Sequence, residues 1–184
     1  GTGSLRRKTQ LLHARADLTI ENIRGNVETR LAKLDAGQYD AVVLAEAGLR
    51  RLGLGARIGQ ILPASIMLPA VGQGALGIET RYADAITRKV VLAIDHPPTH
   101  AAVLAERALL AALEGGCSAP IAAWGHVEDQ TLRLAGRVLR FDGTQKVDAT
   151  REGKIDQPRQ LGQLVAEQLN AQGAAELIQE ARRR

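Results

Sequence analysis

The stretch IAAWGHVEDQTLRLAGRVL, residues 121–139, decides the fold of the second half of the chain. From Thr131 to Leu139 polar and apolar side chains alternate, which is the pattern of a β-strand with one buried face. Ile121–Val127 predicts the strand before it, with a polar turn between the two. Asp142-Gly143 is a hairpin signal and predicts a third strand over residues 145–151. The sequence therefore predicts a three-stranded antiparallel sheet.

Helical patterns surround these strands. We expect a long helix from about Thr99 to Leu113, because alanines and leucines give this stretch apolar faces. Residues 158–170 and 173–182 have the pattern of two closing helices. Together with the sheet, these helices predict a small α+β domain over residues 97–184, with Pro97-Pro98 at its boundary.

The first part of the chain alternates helix and strand, which is the pattern of an α/β layer. The run Tyr39–Ala45 is mostly apolar, as in the buried strands of parallel sheets. We therefore expect an incomplete parallel-sheet α/β domain over residues 1–74, with the general architecture of periplasmic binding proteins. The expected elements of this domain are helices at 5–15, 26–33 and 46–52 and strands at 18–23 and 39–45.

Composition limits the class of protein. The 184 residues are 45% hydrophobic and include one cysteine and four aromatic residues. A single cysteine cannot form an internal disulfide, which favours a reducing cytoplasm. No apolar run approaches the ~20 residues of a membrane span, and the aromatics are too few to stack single-stranded nucleic acid. We therefore expect a cytoplasmic protein with no membrane and no nucleic-acid partner.

The net charge of +4 is concentrated in the first third of the chain. Residues 1–60 hold ten Lys or Arg against six Asp or Glu, while the rest of the chain is balanced. Arginine dominates this excess, and its planar guanidinium suits carboxylate and phosphate groups. Ordinary solvated helix faces are the alternative explanation for any one of these arginines.

Arginines follow three of the predicted turns in the α/β layer. Loops after successive parallel strands converge at one edge of the sheet, so these side chains can face one crevice. Ser4 suits a helix N-terminus, where free N–H groups attract an anion. The pattern predicts a site for a polyanionic small molecule. The arginines concerned are Arg6, Arg7 and Arg24, with Arg50 and Arg51 as alternatives, and Arg30 lies further along its helix, within reach of a long ligand.

The lone cysteine, Cys117, lies in the sequence LEGGCSAP at residues 113–120. The two glycines before it remove side-chain bulk and allow a large group to approach the sulfur. Cys117 is therefore a candidate covalent attachment point or nucleophile, and a buried cysteine that packs as a small hydrophobe is the alternative. We expect no metal site, because two prolines separate His96 from His100 and break regular helical ligand spacing.

Five motifs occur in a fixed order along the chain. They are GTGSLRR at 1–7, RGNVETR at 24–30, YDAVVLAEAGLRRLGL at 39–54, LPAVGQGALGIE at 68–79 and AERALLAALEGGCSAPI at 105–121. In these motifs the chain resembles the porphobilinogen deaminase family, also called hydroxymethylbilane synthases. Gly3 departs from the family, which usually has serine at this position.

The resemblance implies a three-domain enzyme that deaminates four porphobilinogen molecules and joins them into the linear tetrapyrrole of haem biosynthesis. It also implies a dipyrromethane cofactor, two linked porphobilinogen units, held by a thioether to Cys117. The residues that would bind cofactor carboxylates are Ser4, Arg6, Arg7 and Arg30. Those that would bind porphobilinogen and the growing polypyrrole are Arg24, Arg30 and Arg51, with Gln73 near the interdomain hinge.

The same resemblance divides the chain into most of a second domain (1–74), a return segment and linker of the first domain (75–96) and the complete third domain (97–184). In the return segment, residues 76–79 predict a strand and residues 83–94 a helix. The family's first domain supplies a catalytic aspartate in an H-S-x-K-D-[VLM]-P motif, which these 184 residues do not contain. We therefore expect no turnover by this stretch alone, and exposed apolar surface along the return segment where that domain would pack.

Two other function classes fit parts of the pattern. A non-catalytic module that binds a small anion would use the same α/β layer, but it does not need a cysteine between glycines and proline. A nucleic-acid-binding protein is suggested by the sequence pI of about 9.6. The balanced charge of residues 61–184 and the few aromatics oppose that reading.

Overall fold

The computed structural model of the chain describes residues 1–116 and 119–183. Its helices are α1 (Leu5–Ala14), α2 (Val27–Asp35), α3 (Glu46–Arg51), α4 (Ala85–Leu92), α5 (Pro97–Ala112), α6 (Pro158–Asn170) and α7 (Ala174–Arg182). Its strands are β1 (Ile121–Glu128), β2 (Thr131–Leu139) and β3 (Lys146–Lys154), and Gly55–Arg57 forms a short 3-10 helix. Of the helices described, none has the length and apolar character needed to cross a membrane.

The predicted three-stranded antiparallel sheet is confirmed. β2 lies between β1 and β3, with Ile121 opposite Val138 and Arg137 opposite Asp148. Asp129 and Gln130 connect β1 to β2 with φ angles of 46° and 65°. Two successive left-handed residues form the turn whose twist matches that of the flanking strands, so the hairpin closes in two residues.

Helices α5 and α6 cover one face of this sheet and form the main core with it. Leu109, Leu134 and Val165 are fully buried there, one from each of α5, β2 and α6. The two helices approach closely at Gly162, where a Cβ would overlap the carbonyl oxygen of Ala105. The predicted helices at 99–113 and 158–170 are thus present and pack against each other over the strands.

The opposite face of the sheet meets α1 and the segment 65–68 through polar contacts. Arg137 of β2 is 8% exposed, and its Nη1 donates to Gln10 Oε1 at 3.2 Å and to Ser65 O at 3.2 Å. Its Nε donates to Asp148 Oδ1 at 2.7 Å. A buried guanidinium is tolerated here because these acceptors replace its water.

The predicted parallel sheet in residues 1–74 is not found. The structure assigns no β-strand to the described residues that precede Ile121. The stretches 18–23 and 39–45 are extended and lie beside residues 1–3, where Thr2 N donates to Glu21 O and Val43 N to Gly1 O, each at 3.0 Å. Gly1 N also donates to Ala41 O at 2.7 Å, so Gly1 bonds on both sides of Val42 as in a parallel pair. The described bonds do not extend this pair into a strand ladder, and residues 39–45 are partly exposed rather than buried.

Residues 75–94 are the most exposed apolar part of the described chain. The predicted strand at 76–79 is absent, and the predicted helix is the shorter α4. Leu76 is 84% and Tyr82 is 91% exposed, and α4 has no buried residue. The expected exposed apolar surface is therefore present, and this segment contributes nothing to the core beneath the sheet.

Candidate anion-binding site

The start of α1 lies at the edge of one cavity. Ser4 caps the helix, and its Oγ accepts a hydrogen bond from Arg7 N at 3.4 Å. The Oγ1 of Thr2, a buried residue, accepts from Ser4 N at 3.3 Å and fixes the turn before the helix. A capped helix start carries a partial positive charge, which favours an anion in front of it.

The cavity has a volume of about 310 Å³ and lies between the start of α1, the extended stretch at residues 22–24 and α2. Three separate segments thus supply its walls. Its lining contains three arginines and no acidic residue. The lining residues are Thr2, Gly3, Ser4, Arg7, Asn22, Ile23, Arg24 and Arg30.

Arg7 and Arg30 lie close enough for each to affect the other. Burial lowers the pKa of Arg7, and the neighbouring charge of Arg30 lowers it further. Arg7 Nη1 donates to Val43 O at 2.9 Å, and Arg30 Nε donates to Gly25 O at 2.8 Å. Each guanidinium is therefore held by a backbone carbonyl, and an anion placed between them would relieve their mutual repulsion.

Local chain geometry turns Arg30 toward the cavity. Asn26 caps α2 as predicted, with its Oδ1 accepting from Thr29 N at 2.8 Å. Gly25 has a φ of 119°, which side-chain-bearing residues rarely adopt, and a Cβ there would lie 2.7 Å from the Thr29 methyl. The sharp turn at Gly25 lets α2 begin directly behind Arg24, so that one helical turn later Arg30 faces the same space.

Four of the predicted site residues are brought together by the cavity, and three are not. Ser4, Arg7, Arg24 and Arg30 line it. Arg51 is exposed at the end of α3, and Gln73 is exposed in the turn that follows Gly72. The roles assigned to Arg51 and Gln73 stay predictions.

Arg6 lies on the other side of α1. It is 8% exposed, and its Nη1 donates to Leu68 O at 2.5 Å. Gln10, one turn later, donates to the same carbonyl at 3.1 Å. Burial lowers the pKa of Arg6 to about 10, and the charge of Arg7 adds to this effect. Arg6 joins α1 to segment 65–68, and its predicted contact with cofactor carboxylates stays a prediction that this geometry does not support.

Cys117 lies outside the described residues, but the backbone leading to it is described. Glu114 has a left-handed φ of 51°, and Gly115 N donates back to Leu110 O at 2.9 Å. A Cβ on Gly115 would lie 2.5 Å from side-chain atoms of both Leu110 and Ile121. This Schellman-type ending stops α5 abruptly, with Glu114 at the left-handed position that glycine usually occupies.

Sequence reasoning missed four of the lining residues, namely Thr2, Gly3, Asn22 and Ile23. Thr2 lies in the predicted turn before α1, so its position was the available signal. Asn22 and Ile23 lie at the end of an extended stretch, and a stretch of this kind does not reveal which neighbour it will face.

A small cavity lined by arginines at a helix N-terminus has the chemistry of a site for a polyanionic small molecule. Two family profiles match the sequence: "Porphobilinogen deaminase, dipyromethane cofactor binding domain" over residues 1–89, and "Porphobilinogen deaminase, C-terminal domain" over residues 100–171. The chain belongs to the porphobilinogen deaminase family.

Curated relatives carry the same family name. The porphobilinogen deaminase of Moorella thermoacetica is 50% identical over 182 residues, which are 99% of this chain and 58% of that protein. That of Desulforudis audaxviator is 51% identical over 182 residues, with 99% and 59% covered. That of Pelobacter propionicus is 47% identical over 184 residues, with 100% and 59% covered. The chain thus spans somewhat under two thirds of the length of these relatives.

Proposed function

We propose that this chain is the part of a hydroxymethylbilane synthase that holds the dipyrromethane cofactor and the growing polypyrrole. The observation that carries the proposal is the convergence of Ser4, Arg7, Arg24 and Arg30 on one cavity from three segments. The complete protein would then deaminate porphobilinogen and join four units into the linear tetrapyrrole of haem biosynthesis.

The donor set of the cavity fits the chemistry of this cofactor. A dipyrromethane of this kind bears acetate and propionate side chains, so it presents several carboxylates at neutral pH. Guanidinium groups bind carboxylates through paired N–H donors, and a helix start adds backbone N–H groups. The absence of acidic residues from the described lining leaves these donors without an internal competitor.

The predicted site residues have three proposed roles. Ser4 holds the helix start open toward a carboxylate, while Arg7 and Arg30 bind cofactor carboxylates from two sides. Arg24 is exposed at the mouth of the cavity and would bind porphobilinogen or the lengthening chain. Arg51 and Gln73 would take part only where the chain grows beyond the cavity.

Cys117 is the proposed attachment point, through a thioether. When bound, the cofactor supplies the primer to which substrate units are joined. The residues around the cavity then neutralise its carboxylates and hold it in one orientation, which is the positioning that such a reaction requires.

We also propose that residues 75–96 pack against a further domain of the complete protein, with 1–74 and 97–184 as two separate domains. The support is the exposed apolar surface at Leu76, Tyr82 and along α4. That domain would supply the catalytic aspartate, so this stretch alone would have no turnover. The single cysteine supports a cytoplasmic location.

A non-catalytic module for small anions is the second candidate, because the cavity by itself needs no chemistry. It would use the same arginines and leave Cys117 unmodified. Nucleic acid is a weaker candidate, since residues 61–184 are balanced in charge and the chain has only four aromatic residues.

The intact mass of the denatured complete protein, followed by peptide mapping, tests the proposal. We expect a dipyrromethane adduct on the peptide that contains Cys117, and we expect no adduct in a Cys117→Ser variant. Porphobilinogen turnover by the loaded protein, together with its loss in Cys117→Ser, would complete the assignment. An unmodified Cys117 in a protein purified from cells that make porphobilinogen would refute it in favour of the anion-binding module.

A further inference from the structure

Glu106 is a buried carboxylate to which neither the cavity nor the cysteine assigns a role. It lies in the middle of α5 and is 5% exposed. Its Oε2 accepts from Gly72 N at 2.6 Å, and its Oε1 accepts from Gly125 N at 2.7 Å. One side chain thus joins three elements: α5, the segment that ends at Gly72, and β1.

Burial of the Glu106 carboxylate costs free energy unless both of its hydrogen bonds form. Burial raises the pKa of Glu106, and the two backbone N–H groups act against that rise. Within the part of the chain that the structure describes, no salt bridge involves Glu106. The carboxylate therefore depends on Gly72 and Gly125, and a buried acceptor that loses such a partner is left with its full desolvation penalty.

The segment that ends at Gly72 is also hydrogen-bonded to α1, the helix whose start lines the anion cavity. Leu68 O accepts from Arg6 and Gln10 of α1, and Leu68 N donates to Gln10 Oε1 at 2.9 Å. Pro69 O accepts from Ala123 N of β1 at 3.1 Å. Segment 68–72 is therefore held by α1 on one side and by α5 and β1 on the other.

These contacts connect the two helices that carry the two parts of the proposed site, α1 and α5. Helix α1 opens the cavity with Ser4 and Arg7, and α5 ends at the stretch that leads to Cys117. Glu106 stands about two helical turns before that ending. A shift of segment 68–72 against α5 would therefore move the arginines of the cavity relative to the C-terminal end of α5.

We infer that Glu106 is a positioning residue that fixes the anion cavity relative to the C-terminal end of α5, the helix that precedes Cys117 in the chain, by clamping Gly72 and Gly125. The inference rests on the proposed function, because it concerns the distance between cofactor-binding arginines and the cofactor's attachment point. Glu106 does not touch substrate or cofactor and acts only through the backbone it holds.

Two variants separate this role from a purely electrostatic one. Glu106→Gln keeps the length of the side chain but replaces one acceptor oxygen by an N–H donor that faces an N–H group. Glu106→Asp keeps the charge but is too short to reach two separate elements. The clamp predicts that both variants fail, whereas a role of charge alone predicts that Glu106→Asp is active. Glu167→Gln, at an exposed position on α6, is the matched control.

The experiment combines amide hydrogen exchange with turnover in the complete protein. We expect Gly72 and Gly125 to exchange at least tenfold faster in both variants, with α6 unchanged as an internal reference. We expect kcat per cofactor-loaded molecule, with loading counted by intact mass, to fall at least tenfold while KM stays within about threefold, since small misplacements of reacting groups slow a reaction steeply.

Several results would overturn the inference, and they are distinguishable from failure of the proposed function. Unchanged exchange at Gly72 and Gly125 would show that Glu106 does not clamp them. Faster exchange with unchanged kcat, or an active Glu106→Asp, would reduce Glu106 to a structural or charge role. A wild-type protein without porphobilinogen turnover would refute the proposed function and the positioning role with it, while the exchange data alone would decide whether the clamp exists.

Discussion

Alanine in place of Gly162 tests how closely the two main helices must approach. In an ordinary helix interior this change stabilises by about 1 kcal/mol, because alanine has the higher helix propensity. Here the new methyl would lie 2.6 Å from Ala108 Cβ and 2.8 Å from Leu109 N, and it would overlap Ala105 O. The obstacles are mostly backbone atoms of α5 and cannot rotate away, so α5 and α6 must separate.

The magnitude follows from two opposing effects. Overpacking of a well-packed core costs about 1–3 kcal/mol, and separation of the helices also opens gaps beside buried side chains such as Leu109 and Val165, which lose contacts. The propensity gain of about 1 kcal/mol reduces the overpacking cost to at most about 2 kcal/mol, and the lost contacts add to it, so we expect Gly162→Ala to destabilise by about 1–2 kcal/mol. For a chain of this size that is a fall in Tm of roughly 2–8 °C.

Urea unfolding of the 184-residue chain, followed by far-UV circular dichroism, measures this change. The control is Gly48→Ala in α3, where a Cβ would meet no heavy atom within 4 Å. We expect the control to be neutral or slightly stabilising. If Gly162→Ala were as stable as the wild-type chain, the close approach of α5 and α6 would not constrain the fold, and the reasoning would be refuted.

Three further predictions concern the loop, the sheet and the cavity. Glu114→Gly should stabilise the chain by roughly 0.5–1 kcal/mol in urea unfolding, because glycine adopts the left-handed conformation without strain. Burial acts to raise the pKa of Asp148, but hydrogen bonds from Arg137 and Lys146 outweigh it and lower the pKa. The stability from Asp148 is therefore present above its ordinary pKa and is lost as pH falls, so the advantage of wild type over Asp148→Asn in urea unfolding should shrink between about pH 5 and pH 2. Arg30→Gln should weaken citrate binding, measured by calorimetry, about tenfold, since one of three cavity guanidiniums is lost.

These three predictions have separate controls and contrary outcomes. Glu176→Gly, in the first turn of α7, should destabilise instead, because its backbone is helical. A constant difference between wild type and Asp148→Asn across the acid range would mean that the Asp148 pKa is not depressed. Arg57→Gln removes an arginine that pairs with Asp35 outside the cavity, so equal loss of citrate binding in both arginine variants would show that general charge, not the cavity, binds the anion.

The second half of the fold could be predicted because its signals are local. Alternation in β2 identifies the buried face, and the turn at Asp129 and Gln130 fixes the register. The predicted parallel sheet is not confirmed, for the opposite reason. An apolar run such as 39–45 shows that a strand is favoured, but a strand needs neighbours along its whole length, and the run itself does not specify them.

The candidate site also has one part that the sequence predicts and another part that only packing determines. The Asn26 cap and the segment-by-segment grouping of arginines are visible in sequence, and four of the predicted residues share the cavity. Arg6 and Arg7 could not be told apart, because neighbours on a helix differ by about 100° in direction and only packing decides which faces the ligand. Burial of Gln10 one turn after Arg6 marks the packed side, and this becomes apparent only once segment 65–68 is in place.

One side of helix α1 lines the cavity, and the other side packs against segment 65–68 and the sheet. Because one helix makes both contacts, ligand binding in the cavity and packing against the sheet are thermodynamically linked. Ser4 and Arg7 face the cavity, while Arg6 and Gln10 hold Leu68 and, through Gln10, Arg137. A ligand that prefers one placement of α1 must shift the contact with the sheet, and by reciprocity the contact must shift the ligand's affinity by the same factor. Substitutions around His13, whose Nδ1 lies 2.9 Å from Gly143 O, would then tune anion affinity from a distance without touching the anion.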